Sequence, residues 1–205
     1  RLVKSPAEIA LVRRAGALAD AAWEAGLAET RAGADEGRIL AAMQGAVFEG
    51  GGDYAGNEFI IGSGEHALLC RYAAGRRVLG ARDQLTLEWA GAYRHYHAAL
   101  MKTIVVGEPR REHEAMQEAA EAALGACEAA LRPGTAMGTV FAAHADTLDA
   151  MGMGAHRLNA CGYSLGARYS PCWMDDWMFY EGAGTEIEPG MVFFLHMILM
   201  DSDSG

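Results

Sequence analysis

Apolar positions near the start of the chain recur every three to four residues, with Ile9, Val12, Ala15, Leu18, Ala22 and Trp23 sharing one face of a predicted helix from Ala7 to about Thr30. Ser5-Pro6-Ala7-Glu8 opens it as a capping box with Pro at the first helical position. Gly33 interrupts the pattern. Asp35 to Phe48 then reads as a second amphipathic helix ending in Gly50-Gly51-Gly52. Asn57 to Ile61 is a short apolar strand, followed by a loop from Gly62 to His66. Gln84 to Glu88 and Tyr93 to Val106 are β-rich and predict a hairpin turning at Ala90-Gly91-Ala92. The order then repeats. Glu112 to Leu131 is rich in Ala and Glu and is stopped by Arg132-Pro133-Gly134. Thr135 caps a further helix to about Ala150, and Cys161 to Trp177 is irregular and aromatic. After Glu188-Pro189-Gly190, Met191 to Met200 is an almost unbroken apolar strand, expected to be buried on both faces. Two helices leading into strands, twice over, predict an α+β fold in which helices back a curved sheet.

Composition narrows the function. The 205 residues suit one ordinary domain or a compact two-lobed one, and 51% apolar residues allow a sizeable core. No apolar run reaches the roughly 18 residues of a membrane span. A net charge of -10 argues against a nucleic-acid partner, which needs clustered Lys and Arg. The short pairs Arg76-Arg77 and Arg110-Arg111, and the acidic Asp175-Asp176 and Asp201-Ser202-Asp203, read as solvated loop charges. Cys70, Cys127, Cys161 and Cys172 lack CxxC spacing and read as reduced, mostly buried thiols of a cytoplasmic protein. The abrupt start at Arg1-Leu2-Val3-Lys4 places the expected true N-terminus upstream.

Four segments carry a family resemblance. Val3-Lys4-Ser5-Pro6-Ala7-Glu8-Ile9, the loop Ile60-Ile61-Gly62-Ser63-Gly64-Glu65-His66-Ala67, the hairpin Glu88-Trp89-Ala90-Gly91-Ala92-Tyr93 running on to Met101-Lys102-Thr103, and Glu188-Pro189-Gly190-Met191-Val192 occur in this order. Together they resemble the catalytic domain of the pita-bread family of creatinase, aminopeptidase P and prolidase. The resemblance implies a curved, mostly antiparallel, pseudo-duplicated sheet with helices on its outer face. It makes residues 1–205 one catalytic domain, a fragment lacking an N-terminal domain and the last strands. It also implies a homodimer acting on a small-molecule substrate, with no membrane or nucleic-acid partner.

Metalloenzymes of this family hold two divalent cations with two Asp, one His and two Glu, ligands that suit hard or borderline metals. The resemblance places Glu88 at the first Asp, Ala99 at the second, Tyr163 at the His and His196 at the first Glu. Arg71 falls at the accessory catalytic His. An alanine cannot bridge two cations, so no metal cofactor is expected, and the two-metal mechanism is not.

Glu88-Trp89-Ala90-Gly91-Ala92-Tyr93-Arg94-His95-Tyr96-His97 and Gly162-Tyr163-Ser164-Leu165-Gly166-Ala167-Arg168-Tyr169-Ser170-Pro171-Cys172-Trp173 resemble the ectoine hydrolase branch, which works without metal. That resemblance implies Glu88 as a nucleophile toward an amidine carbon; Tyr163 and His196, the latter not part of that branch's pattern, are candidates to orient or protonate the substrate in its pocket. Arg71, Tyr93, His95, His97 and Trp173 are candidates to line it. Each has a plainer alternative. Glu88 is otherwise a hydrogen-bonded strand carboxylate, and Tyr163 a pocket wall. His196 is otherwise a core histidine satisfied by backbone. His95 and His97, sharing a strand face, form an HxH zinc spacing or line a polar pocket. Trp89, Trp173 and Trp177 form an aromatic wall or pack the core. Three functions stay open: a metal-independent hydrolase of a C–N bond in an ectoine-like solute, a metal-dependent peptidase or dimethylsulfoniopropionate lyase-like enzyme with rearranged ligands, and an inactive binding protein.

Overall fold

The structure, a computed structural model, describes residues 2–69 and 76–203. It contains α1 (Pro6–Glu29), α2 (Glu36–Glu49), β1 (Ile60–Ser63), β2 (Asp83–Tyr93), β3 (Tyr96–Val106), α3 (Arg111–Ala130), α4 (Met137–Ala150), β4 (Ala160–Leu165), β5 (Met174–Tyr180) and β6 (Phe193–Leu195). A 3₁₀ turn, Gly64–Leu69, follows β1. The chain divides into two compact units. Among the described residues, the first comprises 6–69, 76–109 and 165–174; the second comprises 2–5, 110–164 and 175–203. The α+β order of two helices followed by three strands occurs twice, as the sequence predicts. Among the described residues, no helix is long and apolar enough to cross a membrane.

In the first unit the antiparallel sheet runs β1-β2-β3. Alternate side chains of β2, Leu85, Leu87 and Trp89, are buried with Ala19 and Ala22 of α1 and with Ile39, Met43 and Val47 of α2. The Trp89 indole N–H donates to the Ala19 carbonyl oxygen at 2.9 Å, and its ring stacks on Trp23 at 5.8 Å. Asp35 caps α2 by accepting from Gly37 N–H at 2.8 Å. Strand β1 begins at Ile60, later than expected, and Ser63 ends it because Glu36 claims both its N–H and its hydroxyl.

The hairpin turns elsewhere than predicted. Strands β2 and β3 pair without a break from Asp83↔Val106 to Tyr93↔Tyr96, so Ala90-Gly91-Ala92 is strand. The turn is Arg94-His95, both with positive φ (49° and 64°), a two-residue conformation that suits the twist of the strands. Gly91 is there for packing: a Cβ at this position would run into the Ala15 carbonyl oxygen and the Ala19 amide of α1. Arg77 is not a solvated loop charge either, since it pairs with Asp83 at 3.3 Å and its N–H donates to Glu36.

In the second unit, α3 and α4 cover a sheet ordered β5-β4-β6, with Cys127, Val140, Phe141, Cys161 and Phe179 in the core. Three expectations are corrected. Thr135 does not cap α4: Ala136 is the cap residue, without a side-chain bond. The backbone there is engaged instead by Thr185 and Ile187. The stretch from Cys161 to Trp177 is not wholly irregular, because β4 and most of β5 lie in it. Finally, Met191 to Met200 is not one strand. Only Phe193–Leu195 pairs in a ladder, and the remainder, half-buried except for the buried His196, makes isolated bridges such as Arg157↔Leu199. Apolar composition alone does not supply a strand with neighbours on both edges.

Candidate functional site

The hairpin register decides what surrounds Glu88. Directly paired residues of an antiparallel ladder share a face, so Ile60, Glu88 and Met101 lie together, with Ala90/Ala99 and Ala92/His97 farther along the same face. The opposite face, carrying Trp89 and Gly91, is the one α1 covers. Glu88 is therefore a half-buried carboxylate between Ile60 and Met101, and Ala99, farther along the same face, presents only a methyl.

The other candidates of this unit separate. Tyr93 has the parity of Trp89, five residues from Glu88, so it lies on the helix side, with the Arg14 guanidinium 5.9 Å above its ring. Trp89 likewise faces α1 and is not part of a wall beside Glu88. His95 and His97 do not alternate on one strand, because His95 occupies the turn. The His95 N–H donates to Asp53 at 3.2 Å and its ring lies 4.3 Å from that of Tyr169. His97 is fully buried and its Nε2 accepts from Gly56 N–H at 2.9 Å. Burial lowers its pKa, although the carbonyls of Gly166 and His95 pull the other way. His97 thus ties β3 to two loops, and the HxH reading does not hold: the backbone conformation that makes the turn takes His95 off the strand. Trp173 is also buried, and its amide lies where a Cβ on Gly56 would be. Arg71 lies outside the described residues.

In the second unit Tyr163 and His196 do come together. Tyr163 pairs with Phe194 across β4 and β6, and the His196 N–H donates to the Cys161 carbonyl at 2.9 Å, one step past the strand. The rings of Tyr163, Phe194 and His196 form a triangle with centroid separations of 5.2, 5.8 and 5.6 Å. Burial, and then the charge of His144, lower the His196 pKa to about 4, so the ring is neutral at pH 7. Its Nδ1 has no hydrogen-bond partner among the described residues.

Three residues escaped the sequence reading. Glu36 is buried and accepts from Ser63 and Arg77, a structural role that no motif signals. Asp175 is not a loop charge: it lies on β5 and pairs with the buried Lys4 at 3.6 Å. His144 is fully buried on α4, and burial followed by the charge of Arg157 lowers its pKa to about 4 against the opposing pull of Asp149. Its position three and four residues from Phe141, Val140 and Leu148 on the apolar stripe was a legible signal.

Among the described residues, no three His, Cys, Asp or Glu side chains stand together as a metal-binding group. With Ala99 facing the same side as Glu88, this donor set does not fit a pair of dications.

The chain matches the metallopeptidase family M24 over residues 10–205 and belongs to that family. It is similar to the Xaa-Pro dipeptidase of Pyrococcus furiosus, 26% identical over 197 residues, covering 93% of this chain and 56% of that protein. It is also similar to the ectoine hydrolase of Halomonas elongata, 25% identical over 205 residues, covering 94% of this chain and 51% of that protein. The solved prolidase from Pyrococcus furiosus superposes with a TM-score of 0.91 at 22% identity, over 98% of this chain and 59% of that one. The fold is that of prolidase, the pita-bread fold. The chain spans little more than half the length of these relatives.

Proposed function

We propose that this chain is the catalytic portion of an M24 hydrolase that opens a C–N bond in a small, polar, ectoine-like cyclic solute, with Glu88 as nucleophile and no resident dication. The observation that carries the reading is that the carboxylate at position 88 shares a sheet face with the bare methyl of Ala99, whose ladder partner is Ala90. A carboxylate can act as a nucleophile when neighbouring groups orient it and the leaving nitrogen is protonated.

In this reading a Glu88 oxygen attacks the amidine carbon, forming a C–O bond. The C–N bond then breaks and the leaving nitrogen takes a proton. Water adds to the same carbon and Glu88 departs as carboxylate, so the net change is amidine plus water to amide plus amine. Tyr163 and His196 are proposed to orient the substrate or protonate the leaving nitrogen, and His97, Trp173 and Arg71 to contact the substrate, Arg71 through a guanidinium fork suited to a carboxylate. His95 and Tyr93 are not included in that wall, given their places in the turn and under Arg14. The whole enzyme is proposed to be a cytoplasmic homodimer, which light scattering of the purified protein tests.

Glu88→Gln is expected to abolish turnover of ectoine and related cyclic amidines, and wild type mixed with substrate and quenched with acid is expected to carry a mass adduct on Glu88. Unchanged turnover in the variant overturns the reading. The similarity to Xaa-Pro dipeptidase supports a second, metal-dependent peptidase reading. Stoichiometric metal in protein purified without added metal, with Xaa-Pro cleavage lost on chelation, would favour it.

A further inference from the structure

Two segments of the first unit grip the turn end of the β2–β3 hairpin. One is the loop after α2. Its Asp53 N–H donates to the Ala92 carbonyl at 2.9 Å, its Asp53 Oδ2 accepts from the His95 N–H at 3.2 Å, and its Gly56 N–H donates to His97 Nε2 at 2.9 Å. The other runs from Gly166 to Trp173, joining β4 to β5 yet belonging to the first unit. The Gly166 carbonyl accepts from the His97 N–H at 3.2 Å, the Arg168 N–H donates to the His95 carbonyl at 2.9 Å, and the Tyr169 ring lies 4.3 Å from that of His95. The two segments also meet each other. Gly56 is buried, and a Cβ there would lie 2.7 Å from the Cys172 carbonyl carbon and from the Trp173 nitrogen. Only glycine leaves that peptide room to approach so closely. His97 on β3, Gly56 and the Cys172–Trp173 peptide therefore stand in series. The His97 ring is fully buried, so packing holds the acceptor it offers to Gly56 in place.

We propose that Gly56 is a positioning residue: bonded to His97, it is the seat that fixes the Cys172–Trp173 peptide, and so the place from which the Trp173 side chain meets the substrate. Groups that hold a substrate work only when the shell behind them is itself locked by packing and hydrogen bonds. A displacement of about 1 Å in such a group is already costly. Gly56 brings no side chain to the chemistry, so its effect reaches the substrate only through Trp173. The mark it leaves is on binding, not on turnover. This inference rests on the substrate contact proposed for Trp173.

Gly56→Ala tests it, with ectoine as the substrate. The added methyl must push the Cys172–Trp173 peptide away. KM is expected to rise about tenfold with kcat unchanged, the pattern of lost uniform binding. Nitrogen-15 NMR of the same variant, labelled at tryptophan, should show the Trp173 indole signal displaced. The signals of Trp23 and Trp89, which stack on each other at α1, should stay in place. A Trp173 signal that does not move, or a fall in kcat alongside the rise in KM, overturns the proposal. Should Gly56→Ala not fold, the other end of the bond serves. His97→Leu, which offers Gly56 no acceptor, should displace the Trp173 signal, and His97→Gln, whose amide oxygen accepts, should restore it. A Trp173 signal in His97→Leu identical to wild type overturns the proposal. If wild type leaves ectoine intact, or Glu88→Gln retains turnover, the hydrolase reading fails, while the indole signals still decide the role of Gly56.

Discussion

The two units follow one plan, two helices running into three strands, but they treat polarity differently. In the first, the arms of the hairpin are 11 residues each and pair along their whole length. Its buried Glu36 is satisfied by three donors, and His97 accepts from Gly56 at Nε2 while its Nδ1 has no partner among the described residues. In the second, the strands have six, seven and three residues. Its core holds His144 and His196 with unpartnered nitrogens, beside the thiols of Cys127 and Cys161. The lesson is that a duplicated scaffold does not distribute its costs evenly. Among the described imidazoles, one copy leaves Nδ1 of His97 without a partner, while the other leaves Nε2 of His113, both nitrogens of His144 and Nδ1 of His196 unpartnered.

The sharpest way to break this comparison is through glycine. Gly91→Val pushes a side chain into the backbone of α1, which cannot yield locally. It should cost more than about 4 kcal/mol in urea denaturation or prevent folding. Gly138→Val in the second unit meets the backbone of Ala183 at 3.0 Å and should cost clearly less. The reverse order would show that the first unit is not the stiffer one.

Acid should act next. The pKa values of His144 and His196 are held at about 4, below the ordinary 6.5, so the unfolded chain binds more protons between those limits. Stability contributed by these neutral rings is fully present above pH 6.5 and is lost as pH falls toward 4, by up to about 1.4 kcal/mol per pH unit for each group. Denaturation midpoints measured from pH 7 to pH 4.5 should show a shallower slope in His144→Phe than in wild type. Equal slopes would mean that His144 is not desolvated.

Helix caps make a smaller contrast. Asp35→Ala removes the side-chain cap of α2 and should cost about 1 kcal/mol, whereas Ala136→Ser adds a cap that α4 lacks and should gain part of that amount. Smallest of all, Gly125→Ala in the open middle of α3 should stabilise by roughly 0.5–1 kcal/mol. Thermal melts of the single variants would resolve both.

What the sequence determined by itself is the local and the repetitive. Helix periodicity located all four helices to within a residue or two, and the repeat of helices and strands was legible as α+β. The ordered motifs marked family M24. Only the tertiary structure decided which face each strand residue occupies. Gly91 looked like a turn because glycine is common in turns, but it is a site of close approach by α1, a contact 72 to 76 residues away in sequence. Once the turn moved to Arg94-His95, strand parity separated Tyr93 from Glu88 and removed His95 from the side of His97. Strand periodicity is only two, so a local error in the turn reassigns every neighbour, whereas helix periodicity is fixed by bonds within the segment itself. His144 escaped for a related reason: its significance depends on which nitrogens find partners in the folded core, and that accounting exists only in three dimensions.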